Sequence, residues 1–112
     1  MTKKPKLTPK MLQRIAAQFK ALSDPSRLRL MSLLFDCELS VGALARLSDL
    51  SLANVSKPLQ ILHAADFVSR RKIGVSVHDS LADERARQLC TLMCNRILDL
   101  AGIETSRLAA GG

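Results

Sequence analysis

Two short apolar-periodic segments lie three residues apart between Ser40 and Ala65, each preceded by a serine, and no other feature constrains the fold as tightly. The first carries Val41, Leu44, Ala45 and Leu47; the second carries Val55, Leu59, Ile61 and Leu62. Apolar residues at such spacing form one face of a helix. Ser40 and Ser51 are suited to accept the free N–H groups of each first turn. Ser48-Asp49-Leu50 leaves room only for a tight turn, in which Asp49 tolerates a left-handed backbone. Ala45 is small enough for close approach, and Leu50, Val55 and Leu59 face inward to fix the crossing. Two helices joined in this way form a helix-turn-helix.

The flanking sequence extends this unit on both sides. Residues 1–8, with Lys3, Lys4, Lys6 and Pro5, read as a basic flexible arm. Leu12, Ile15, Ala16, Phe19 and Leu22 predict a first helix from about Pro9 to Leu22. Asp24-Pro25 restarts the chain, Asp as cap and Pro in the first helical position. The second helix carries Leu28, Leu30, Met31, Leu33 and Leu34 and ends near Asp36. Beyond Ala65, residues 67–73 and 75–81 read as two strands around Gly74. A last helix runs from about Asp83 to Ala101, with Gly102 as its stop. The expected architecture is mostly α with a small β-hairpin. It is a winged helix-turn-helix over residues 9–102, followed by a loose tail at 103–112.

Composition narrows the function classes. At 112 residues the chain fits one domain. Apolar residues make up 47% but aromatics only 3%, so the core is aliphatic, which favours helices. Lys and Arg outnumber Asp and Glu by 17 to 10, a net charge of +7 that fits a polyanionic partner. The alternative is a basic surface kept for solubility. No apolar run approaches the roughly 18 residues needed to span a membrane. No signal-peptide apolar region follows the basic N-terminus. The expected location is the cytoplasm, where Cys37, Cys90 and Cys94 stay reduced. There is no nucleophile elbow, no phosphate-cradling loop and no paired acid, so an enzyme is not expected.

The candidate DNA-reading residues follow from the inward set. With Val55 and Leu59 buried, Asn54, Ser56, Lys57 and Gln60 remain on outer or flanking faces. Asn and Gln can pair with adenine, Lys with guanine or phosphate, and Ser with phosphate. Arg70, Arg71 and Lys72 precede Gly74 and are expected to lie along the phosphate backbone. A lone charge run can instead blunt a sheet edge. Its place just after the recognition helix favours phosphate. Pro58 removes one backbone bond and predicts a kink near Asn54.

At these residues the chain resembles the ArsR/SmtB family of bacterial winged-helix repressors. The resemblance is carried by Ala21-Leu-Ser-Asp-Pro-Ser-Arg27-Leu-Arg-Leu30, Glu38-Leu-Ser-Val-Gly-Ala-Leu44, Leu50-Ser-Leu-Ala-Asn-Val-Ser-Lys-Pro-Leu59 and Leu81-Ala-Asp83. It implies a homodimer built from the first and last helices, and repression at double-stranded operator DNA relieved by an inducer. The alternative is a winged helix that contacts only proteins. The last helix is apolar almost all round, with Leu89, Leu92, Met93, Ile97 and Leu98, which predicts a second buried side against a partner copy.

The resemblance also implies where metals bind in relatives. One site uses a Cys-x-Cys pair where this chain has Ser40 and Gly42. Another uses Asp and His on the last helix, where Asp83 is kept but Arg85 replaces His, and Asn95 and Arg96 are poor ligands. Neither site is expected to function, and no cofactor is expected. Cys90 and Cys94, four apart on one helical face, are a candidate thiol sensor for a soft ion such as arsenite or for thiol chemistry. The alternative is inert packing at the dimer seam. Cys37, where relatives carry Gly, is a possible third ligand and is expected to need a left-handed backbone. The mid-helix cysteine of persulfide-sensing relatives corresponds to Ser32.

Overall fold

The computed structural model describes residues 3–102. The tail expected at 103–112 lies outside the described residues. The elements are α1 (Pro9–Leu22), α2 (Pro25–Leu33), β1 (Leu39–Ser40), α3 (Val41–Ser48), α4 (Leu52–Ala64), β2 (Val68–Ile73), β3 (Ser76–Leu81) and α5 (Glu84–Ala101). This is the winged helix-turn-helix order.

The helix boundaries follow from the caps. Thr8, Asp24, Ser40, Ser51 and Asp83 each accept a backbone N–H three residues on. Each satisfies a donor that the first helical turn leaves free. Gly102 ends α5 at φ 66. The Asp-Pro-Ser-Arg block has a second task. Arg27 Nε donates to Ala21 O at 2.7 Å and its Nη2 to Lys20 O at 3.3 Å. A guanidinium on the last carbonyls of α1 satisfies them and complements the dipole. It also fixes the angle between α1 and α2.

The core is aliphatic. Leu30 and Met31 of α2 and Leu34 just after it join Leu44 and Ala45 of α3 and Val55, Leu59 and Leu62 of α4. Asp49 takes the left-handed turn position at φ 61, and Leu50 N–H reaches Ala45 O at 3.1 Å. The three-residue turn therefore closes as the spacing requires.

Several details differ from expectation. The second helix stops at Leu33, short of Asp36, and a two-residue strand follows it. β1 joins the hairpin to give a sheet of order β1-β3-β2, all antiparallel. Cys37 is not among the residues with positive φ, so the left-handed backbone expected there is absent. Asp66 instead takes that conformation, at φ 63, between α4 and β2. Pro58 lies inside α4, which spans 13 residues.

Only Ala86 and Leu98 of α5 are fully buried in the single chain. Asp83 caps its start. Arg87 then pins it to the segment after α2 by donating from Nε and Nη2 to Phe35 O at 3.0 and 2.6 Å, with the guanidinium over the Phe35 ring. Leu89 and Cys90 are half-buried against the core, while Leu92, Met93, Ile97 and Leu100 are open.

Candidate nucleic-acid interface

The turn and the α3 core fix how α4 is presented. Val55, Leu59 and Leu62 are fully buried, which points the opposite side of the helix outward. Asn54, Ser56, Lys57 and Gln60 are all exposed. They do not share one line. At about 100° per residue, Lys57 and Gln60 lie opposite the buried residues with Ala53 between them, and Ser56 is turned to one flank. Asn54 is turned to the other flank. There it lines a cleft with Lys57, Pro58 and the α2 start, Asp24 and Ser26. Lys57 belongs to both surfaces.

The basic run on β2 is divided by the pleat. Successive strand residues point to opposite faces. Arg70 and Lys72 share the face of buried Val68, while Arg71 lies on the other. Arg70 sits opposite Asp79 on β3, and its Nε donates to Asp79 Oδ1 at 2.9 Å. Asp79 is fully buried, and its Oδ2 has no hydrogen-bond partner among the described residues. Arg70 is therefore the counter-charge of an interior carboxylate.

Arg71 reaches across the sheet to Glu38, just before β1. Its Nε and Nη2 donate to the two carboxylate oxygens at 2.6 and 2.8 Å. This fork holds the Glu38 carboxyl below its ordinary range, with the charges of Arg71 and His78 adding to the effect. The same bond holds the Arg71 guanidinium above its usual value. The pair is present at neutral pH and opens as the medium is acidified through the lowered Glu38 value. Lys72 is exposed and makes no ion pair among the described residues. The run thus presents one unengaged cation, one held by a surface partner and one committed to the interior. No sequence signal announced these pairs, because Glu38 and Arg71 are 33 residues apart.

The thiols are distributed unevenly. Cys90 and Cys94 line one apolar groove of about 320 Å³ between α2 and α5, with Leu28, Ser32, Phe35 and Met93. Burial pushes the Cys90 thiol up, so it is neutral near pH 7. Cys37 is exposed and does not line that groove. Among the described residues, no three His, Cys, Asp or Glu side chains are grouped to hold a metal ion.

Comparison with known proteins places this geometry among regulators. Residues 24–70 match the model described as bacterial regulatory protein, arsR family. The chain is 46% identical over 77 residues to a transcriptional repressor SmtB homolog of Synechocystis, covering 69% of this chain and 58% of that protein. It is 33% identical over 63 residues to the transcriptional repressor SdpR of Bacillus subtilis, covering 56% of this chain and 70% of SdpR. The match to the Synechocystis protein thus spans less than two thirds of its length. Among solved structures, the homodimeric winged helix-turn-helix DNA-binding domain Mb0332 of Mycobacterium bovis superposes with a TM-score of 0.76 at 27% identity. That superposition covers 88% of this chain and 91% of the other.

Proposed function

The chain belongs to the arsR family of bacterial regulatory proteins, and from that premise we propose that it is a homodimeric repressor of transcription that binds double-stranded operator DNA. The observation that carries this reading is the outward stripe of Lys57 and Gln60 on α4, flanked by Asn54 and Ser56 and held by a buried helix-turn-helix core. A major groove admits one α-helix, and these side chains are the types that pair with base edges and phosphates. Asn54 on the flank and Lys72 on the wing extend the surface. The proposed role is binding rather than catalysis, in the cytoplasm.

Lys57 is the central test. It stands between the base-reading stripe and the cleft at the α2 start. Lys57→Ala is expected to weaken binding to a duplex selected from a random pool by about tenfold to a hundredfold, as loss of one base contact does. A gel-shift titration reads this directly. Wild-type binding by the variant would remove α4 from the interface.

Glu38 is expected to oppose DNA binding, because Arg71 must leave it to reach a phosphate. An exposed ion pair is weak, so Glu38→Gln should tighten duplex binding by at most about fivefold. The salt dependence should stay as in the wild type, because Arg71 reaches the same phosphate in both complexes. Weaker binding by Glu38→Gln would mean that the carboxylate orients Arg71 instead.

For the inducer, the proposed receiver is the Cys90–Cys94 pair. Both thiols face the same groove beside the proposed dimer surface, where a bound soft ion could shift the two recognition helices. Arsenite is expected to release wild-type protein from DNA and to leave the Cys90→Ser, Cys94→Ser double variant bound. Indifference of the wild type to arsenite and to persulfide donors would leave the thiols as packing.

A further inference from the structure

The hairpin tip is apolar where a phosphate-contacting wing needs charge. Val75 is 97% exposed and Ile73 44% exposed, on either side of Gly74. Gly74 holds φ 61 at the first central position of the two-residue turn, and Val75 does not share that sign. This suits a type II′ turn, which takes Gly first. The turn therefore fixes Val75 at the point of the hairpin farthest from the core. The neighbouring cations do not offset its character. Arg70 is drawn back to Asp79 and Arg71 sideways to Glu38, so Lys72 alone stands behind the tip.

We propose that Ile73 and Val75 form an apolar probe that enters the minor groove beside the α4 site and rejects guanine there. The inference rests on the DNA-binding reading above and adds the residues and the base feature that set specificity at the flank. β2 begins four residues after the end of α4, so the wing stands beside the recognition helix. A projection in that place meets the neighbouring backbone or minor groove when the helix occupies the major groove. Ionic phosphates are poor company for two β-branched side chains. The minor groove offers the apolar faces of the sugars, and proteins that enter it commonly do so with aliphatic side chains. An A·T pair presents only acceptors there, whereas G·C adds the guanine 2-amino donor. Val and Ile have no acceptor for it, so covering that donor leaves it unsatisfied. Lys72 is placed to meet the phosphate at the groove edge.

The test uses the full chain and a duplex that it selects from a random pool, with the wing flank located by hydroxyl-radical footprinting. A·T pairs in that flank are replaced by G·C and, separately, by inosine·C. Inosine keeps the major-groove face of guanine and lacks the 2-amino group. Fluorescence anisotropy should show about tenfold weaker wild-type binding to the G·C flank, the ordinary scale for one wrong base pair. Inosine·C should restore binding to nearly the A·T level. Val75→Ser, at a site exposed enough to leave the thermal melt unchanged, should bind all three flanks within about twofold, because its hydroxyl accepts from the amino group. The proposal is overturned if wild type binds the A·T and G·C flanks alike, if inosine·C behaves as G·C, or if Val75→Ser discriminates as wild type does. Failure to select any duplex would overturn the DNA-binding reading itself, and the inference with it.

Discussion

Replacing Ile97 with aspartate should turn the protein into a monomer and cost about a hundredfold in affinity for a two-half-site duplex, the avidity that a linked second site supplies. Ile97 is 53% exposed in the single chain, and Leu92 and Leu100 on the same helix are each 68% exposed. On α1, Met11, Leu12 and Phe19 are open as well. Two helices with bare apolar stripes in so small a chain call for a second copy to cover them. The substituted position has solvent access already, so helix content should be unchanged. Sedimentation velocity at micromolar concentration reads the assembly, and anisotropy reads the affinity. A variant that stays dimeric would place the interface elsewhere.

The adjacent arginines of the wing should separate cleanly in stability. Arg70→Ala leaves Asp79 charged and buried with no counter-ion. Removing one partner of a buried pair costs about 3–5 kcal/mol. Because the Arg70 side chain is 35% exposed, the expected loss is smaller, about 2–4 kcal/mol. Arg71→Ala breaks only a surface pair and should leave the thermal midpoint within about 2 °C of wild type. Adding Asp79→Asn to Arg70→Ala should recover most of the loss, because the uncompensated charge goes with it. Equal midpoints for the two single variants would contradict the assignment of Arg70 to the interior. In duplex binding the ranking reverses, since Arg71 can be released to a phosphate while Arg70 cannot leave without exposing Asp79.

The helices were legible because their signals are local. Asp24, Ser40, Ser51 and Asp83 cap within three residues of themselves, and Asp49 and Gly102 mark chain reversals by their own backbone preference. β1 was not legible, since two residues carry no period and Leu39–Ser40 is a strand only because β3 lies beside it. Asp66 shows the same limit at the end of α4. The candidate interface was legible as residues but not as geometry. Asn54, Ser56, Lys57 and Gln60 are exposed as the burial of Val55 and Leu59 requires, yet the helix turns Asn54 and Ser56 to opposite flanks. The run Arg70-Arg71-Lys72 reads as one patch along the chain. The strand pleat splits it, and partners nine and 33 residues away occupy two of the three side chains. Side-chain pairing across a sheet depends on register, which a charge pattern does not encode.

The central claim is that this basic chain binds duplex DNA through α4 and the wing. It is tested most directly by the salt dependence of binding to a self-selected duplex. Each phosphate neutralised releases counterions, so log Kd should rise linearly with log salt. A dimer using Lys57, Lys72 and released Arg71 in each copy should give a slope of about 4 to 6. The same duplex with scrambled sequence should bind at least about a thousandfold more weakly at physiological salt. A flat salt dependence, or equal affinity for selected and scrambled duplexes, would contradict the account and leave a winged helix that serves protein contacts alone.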